Sequence, residues 1–170
     1  MIETEIIDNE KKITSGILKG YTIEHLENGT IVFKSPAIGK EERHFNFLIA
    51  NIKYNDFTEE DLVEMCTNSL ANCIMSSANE QSKTQLLRRH KRIIENFPKA
   101  IFTNQSYLNE ALAKLDEKSK DFALILNDKN ASKNFLKKVK TARNHFTNYL
   151  IGFKSVHKEK FYETDSERVF

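Results

Sequence analysis

Arg143, Asn144 and Asn148 are the residues whose types and spacing could do chemistry on a phosphate. A guanidinium can bind phosphate oxygens with two parallel hydrogen bonds, whereas an amide offers only neutral hydrogen bonds. Because an amide cannot transfer a proton near neutral pH, the two asparagines cannot act as a general acid or base.

These residues belong to the segment Ala131–Phe153, whose apolar residues recur at spacings of three, four and seven. They are Phe135, Val139, Ala142, Phe146, Tyr149, Leu150 and Phe153. This periodicity predicts one amphipathic α-helix, which we expect to stop at Gly152. Positions 143 and 148 are separated by roughly 140° and ~7.5 Å on a straight helix, so their side chains are not predicted to converge within one copy.

The stretch Lys140–Tyr149, KTARNHFTNY, resembles the signature of the HEPN superfamily and most closely its Apea-like branch. That signature is Arg, four to six intervening residues and then His, often with a polar residue directly after the Arg. Arg143-Asn144 and Phe146-Thr147 match it, and Asn148 stands at the histidine position. For cleavage of RNA without a metal, which needs groups that assist the 2′-hydroxyl and protonate the leaving oxygen, the missing imidazole would cost ~2–4 orders of magnitude in rate. The resemblance implies a helical bundle of a toxin or phage-defence type, from a lineage of metal-independent endoribonucleases. It also implies a homodimer and places Arg143, Asn144 and Asn148 at the active-site position.

Two accounts of Asn148 are compatible with this resemblance. The protein is either a degenerate member that binds RNA or a partner without cutting, or it carries an engineered inactivating change. A different reading is that Arg143 covers the apolar stripe with its alkyl stem, while Asn144 and Asn148 form a solvated face. On that reading, the alternative function is a non-enzymatic phage or mobile-element interaction protein that binds a protein partner through its helical face.

Five basic residues are candidate RNA contacts. They are Lys137, Lys140, Arg88, Arg89 and Arg92. Each cluster alone is better explained as a solvated face balanced by the acids of residues 56–64, whereas two clusters near one arginine-bearing helix favour contacts to phosphates. The 26 basic and 24 acidic residues leave a net charge of only +2, so the overall charge favours no particular partner.

The remaining histidines predict no further site. His145 follows Arg143 by two residues, on the opposite flank of the predicted stripe, and is interpreted as a surface or semi-buried structural residue. His25, His44 and His157 lack the spacing of a metal site or a catalytic triad. HExxH, CxxC, P-loop and GxGxxG motifs do not occur, so we expect no metal and no cofactor.

Composition predicts a cytoplasmic protein. Cys66 and Cys73 are expected to lie on one helix as small buried residues in a reducing compartment. The acidic N-terminal stretch has no signal-peptide core, and no apolar run approaches ~18 residues, so we expect no membrane span.

Hydropathy patterns predict an α+β fold within 170 residues. Residues 1–56 form the antiparallel β-hairpin region, because Asn28-Gly29 lies between alternating apolar residues and a third strand is expected over His44–Tyr54. Residues 57–170 form a four- to five-helix bundle. Its helices are expected from Thr58 to about 74, over about Ser82–Asn96 and Asn104–Lys118, and over the long segment, with one more possible in the tail after 153.

Overall fold

The computed structural model describes residues 4–7, 10–14, 16, 19–25, 30–34, 44–48 and 58–161. A five-stranded antiparallel sheet precedes a bundle of helices. The predicted α+β fold class is therefore confirmed.

The strands form an antiparallel meander in the order β1-β2-β3-β4-β5. They are β1 (Thr4–Ile7), β2 (Glu10–Ile13), β3 (Thr22–His25), β4 (Thr30–Lys34) and β5 (His44–Leu48). The pairing of His25 with Ile31 confirms the predicted hairpin, although the Asn28-Gly29 turn itself lies outside the described residues. The third predicted strand is confirmed over His44–Leu48, and its remainder also lies outside them. Among the described strands, β1 and β2 were not predicted as a hairpin, since their apolar alternation is weak.

Six helices follow in the described part of the chain. They are α1 (Glu59–Ser77), α2 (Lys83–Asn96), α3 (Lys99–Thr103), α4 (Gln105–Ile125), α5 (Lys129–Val156) and α6 (Lys158–Phe161). Side-chain caps begin the four longer ones, including a reciprocal capping box in which Thr58 and Asp61 each bond the other's backbone N–H. α4 continues beyond the predicted end at Lys118, and the short α3 was not predicted.

The expected stop at Gly152 is wrong, because α5 continues to Val156. Gly152 lies on the exposed side, with no neighbouring atom within 4 Å of a Cβ built there. The next residue, Phe153, is 8% exposed and packs edge-on against Phe161 of α6 at 5.9 Å. Tertiary packing of this last turn therefore outweighs the weak helix propensity of one glycine.

One hydrophobic core joins the sheet to the bundle. Ile13, Tyr21 and Ile23 are buried in the same cluster as the apolar faces of the helices. Burial raises the pKa of Tyr21, and the Cys66 thiol of α1 adds to the effect, which places this tyrosine against α1. The sheet thus gains the helical cover that so small an antiparallel unit needs.

α5 turns its predicted apolar stripe into the centre of the core. Its buried residues are Val139, Ala142, Phe146, Leu150 and Phe153. α1 and α4 pack along it and α2 covers another flank, so the opposite face remains outward. This arrangement leaves the polar residues of α5 available to a ligand.

The two cysteines occupy α1 as predicted, Cys66 buried and Cys73 half-buried, and both are free thiols. Burial raises the pKa of Cys66 to about 12 and also raises that of Cys73.

Since the thiolate is the nucleophile, we expect iodoacetamide at pH 8 to alkylate Cys66 far more slowly in the native protein than in urea. Mass spectrometry of timed, quenched samples measures both rates; equal rates would contradict the burial.

Candidate phosphate-binding site

Arg143 projects from α5 toward α4, where its Nε donates a hydrogen bond to Asp116 Oδ1 at 3.1 Å. The arginine side chain is 32% exposed and the aspartate side chain 51% exposed. Such a solvent-accessible ion pair contributes little stability, about 0–1 kcal/mol. Its main effect is to orient the guanidinium through Nε, the nitrogen that donates to Asp116.

An open groove of ≈ 360 Å³ runs beside this ion pair between α4 and α5. Its lining residues are Asp116, Ser119, Lys120, Leu136, Val139, Lys140, Arg143 and Asn144. Three of these side chains are cationic and one is anionic, so the groove concentrates positive charge in one small area. Apolar contact from Leu136 and Val139 completes a surface suited to an anion attached to a less polar body.

The predicted catalytic residues do not all share this groove. Arg143 and Asn144 line it together, whereas Asn148 is exposed and is not among its lining residues. Helical rotation accounts for the divergence, because positions 143 and 148 differ by roughly 140° on the continuous α5.

The predicted RNA-binding residues of α5 lie close to the groove. Lys140 lines it, and the exposed Lys137 lies one turn earlier. Lys133, Lys137, Lys140 and Asn144 follow one another at spacings of four, three and four, which places them along one face of the helix. We call the three exposed lysines of this line, Lys133, Lys137 and Lys140, the basic stripe of α5.

The cluster on α2 lies apart from that groove. Arg88 and Arg92 are exposed, but Arg89 donates to Glu80 Oε1 at 3.0 Å and to Ser76 Oγ at 2.7 Å. These contacts join α2 to the end of α1. Arg89, which was predicted as an RNA contact because it lies in a basic run, therefore makes contacts that hold two helices together.

A second polar constellation lies on the other flank of α5, where His90 of α2 is fully buried. Ser77 Oγ donates to the Ile74 carbonyl at 2.5 Å, so at 2.9 Å from His90 Nε2 it accepts that ring N–H. His90 Nδ1 is then an acceptor, and it receives the N–H of His145 Nδ1 at 2.8 Å. The chain of bonds thereby assigns His145 the tautomer with a lone pair on Nε2.

Both imidazoles are held neutral near pH 7. Burial, together with smaller contributions from the charges of His145 and Arg89, lowers the pKa of His90 to about 4. Burial also lowers the pKa of His145, with a second contribution from Lys83. The ring of Tyr149 stacks nearly parallel to His145, with centroids 6.3 Å apart.

Sequence reasoning missed the bonds that His90 and Ser77 make to one another. A signal was present, because His90 precedes Ile93, Ile94 and Phe97 at the three, four and seven spacing of a buried helical face. The interpretation of His145 as a semi-buried residue agrees with its half-buried position, but its buried partner lies 55 residues away in the chain.

Within residues 58–161 and the described strands, no three His, Cys, Asp or Glu side chains are grouped so that they could hold a metal ion. None of the helices described is both long enough and apolar enough to span a bilayer. Comparison of the chain with protein-family models, curated proteins and solved structures finds no match.

Proposed function

We propose that this chain is a HEPN-like, RNA-directed protein of a toxin or phage-defence type that binds RNA phosphates in the groove between α4 and α5. The observation that carries the proposal is the position of Arg143 beside Lys120 and Lys140, with a single carboxylate among them. Lys140 lies one turn before the Arg-Asn pair that resembles the family signature, and Lys120 lines the same groove from α4.

The geometry of the groove suits a phosphodiester. Asp116 accepts a hydrogen bond from the Nε of Arg143, and the two terminal nitrogens are the donors with which a guanidinium makes paired hydrogen bonds to a phosphate. The basic stripe extends from this point along α5, so neighbouring phosphates of one strand would meet further lysines. Binding through such contacts releases counterions and is therefore expected to weaken steeply with added salt.

The proposed lineage is that of metal-independent endoribonucleases. Catalysis through the motif position is impaired in this chain, because Asn148 replaces the motif histidine and cannot transfer a proton. A homodimer is part of the proposal, since two copies could combine an arginine of one with polar residues of the other. Sedimentation velocity of the purified chain tests this part, and a species of twice the monomer mass is expected.

Replacing Arg143 with alanine should weaken binding to single-stranded RNA by about 10–100-fold, because each charge-assisted hydrogen bond contributes roughly 1.5–3 kcal/mol. Fluorescence anisotropy with a labelled oligonucleotide at several salt concentrations measures the affinity and its salt slope. Arg88→Ala removes the same group from α2 and should have a much smaller effect. Asp116→Asn should strengthen binding, because it removes the competing carboxylate.

Unchanged affinity in Arg143→Ala, or no RNA binding by the wild-type chain at low salt, would overturn this proposal.

One observation favours the rival function, that of a non-enzymatic protein that binds a protein partner. Leu124 and Ile125, at the end of α4, are 83% and 72% exposed, and Phe122 beside them is 44% exposed. The double substitution Leu124→Ser and Ile125→Ser should abolish binding to a protein partner while leaving any RNA affinity unchanged.

A further inference from the structure

A polar band encircles the outward half of α5 at the level of the motif. Successive helical residues differ by 100°, so Arg143, Asn144 and His145 pass from the α4 flank, across the exposed face, to the α2 flank. Asn148 lies on that exposed face one to two turns further along. A helix with its side chains is only ~10–12 Å wide, so a short single strand bound at Arg143 can cross Asn144 and reach His145.

His145 presents the one ring nitrogen of the histidine pair that can accept a proton without breaking a hydrogen bond. His90 uses Nε2 as a donor to Ser77 and Nδ1 as an acceptor from His145, so a proton on His90 would disrupt the pair. A proton on His145 Nε2 leaves both bonds in place. A base whose other ring nitrogen is held by a buried partner has the arrangement of an oriented general base.

The charges around His145 favour an anionic substrate. From α2, Lys83 and Arg89 act on the histidine pair, and the carboxylate of Glu95 acts instead on Tyr149. Arg89 is itself paired with Glu80, which lies just after α1. On α5, the exposed Lys138 lies two turns before His145 on nearly the same face. Lys83 is therefore the charged residue that acts on His145, and together with Lys138 it can attract a phosphate.

We propose that His145 is the catalytic proton acceptor for a 2′-hydroxyl of the RNA strand held at Arg143, so that position 145 supplies the imidazole that position 148 lacks. This inference rests on the proposed function. His145 Nε2 takes the hydroxyl proton as the 2′-oxygen bonds to phosphorus and the bond from phosphorus to the 5′-oxygen breaks. The departing oxygen takes a proton from water, and His145 returns its proton to the resulting hydroxide. The products are a 2′,3′-cyclic phosphate and a 5′-hydroxyl.

The test is cleavage of a labelled RNA oligonucleotide by the purified full chain in the presence of EDTA, with products resolved by gel and mass spectrometry. We expect cyclic-phosphate ends from the wild-type chain and a rate reduced at least ~100-fold in His145→Gln. His157→Gln makes the same change at the end of the same helix and should leave the rate unchanged. Anisotropy should show that His145→Gln retains RNA affinity within about twofold.

A pH profile separates proton transfer from a purely structural role. The wild-type rate should rise about tenfold per pH unit in the acid range and level off above the pKa of His145, measured by imidazole NMR. If His145→Gln does not fold, the test is whether the pH at which the wild-type rate levels off agrees with the pKa of His145 measured by NMR. Binding without cleavage by the wild-type chain, undiminished cleavage by His145→Gln, or a profile unrelated to His145 would overturn the inference while leaving the proposed function intact. Absence of RNA binding would overturn both.

Discussion

Phe146→Ala is expected to lower the free energy of unfolding by about 3–5 kcal/mol, because it leaves a cavity in a core that cannot fully collapse. Phe146 is 0% exposed. Its ring meets His90 edge-on with centroids 5.2 Å apart and lies 6.2 Å from that of Phe102. The substitution therefore removes contacts from α2, α3 and α5 at once.

Urea denaturation followed by circular dichroism measures this change, with the midpoint and slope compared between the two proteins. Ile151→Ala is the matched control on the same helix, since Ile151 is 63% exposed. It should change the free energy of unfolding by no more than about 0.5 kcal/mol. A loss below about 1 kcal/mol in Phe146→Ala would show that α5 does not pack into the core at this residue.

His90 is expected to make the fold sensitive to mild acid. Its pKa is lowered from 6.5 to about 4 by burial in the folded protein, so the unfolded chain binds more protons between these values. Stability therefore rises with pH through this window and is lost as the pH falls from about 6.5 toward 4. The gap corresponds to about 3 kcal/mol, and His145, whose pKa is also lowered, acts in the same direction.

Comparing wild-type and His90→Leu unfolding at several pH values between 7 and 4 isolates this contribution from that of the carboxylates. The variant should be less stable at pH 7, because Ser77 and His145 lose their partner, but it should lose about 3 kcal/mol less on acidification. His157→Leu should retain the wild-type slope. Parallel pH curves for wild type and His90→Leu would refute neutral burial of this imidazole.

Local signals predicted much of the architecture. The Thr58 cap, the Asn28-Gly29 hairpin and the periodicity of Ala131–Phe153 each reflect interactions between residues close in sequence, so each can be recognised without the rest of the chain. The end of α5 was predicted wrongly for the complementary reason. Packing of Phe153 against α6 depends on a tertiary contact that overrides the local preference of Gly152.

The sequence by itself determined which side chains share the polar side of α5, because a helical repeat of 3.6 residues places them there whatever surrounds the helix. Only the tertiary structure decided what each of them meets. Arg143 finds Asp116 across 27 residues of sequence, and His145 finds His90 across 55. Those partners come from different helices on opposite flanks, and the packing of α2 and α4 against one hydrophobic core selects them. The same packing makes one flank a cationic groove and the other an oriented imidazole.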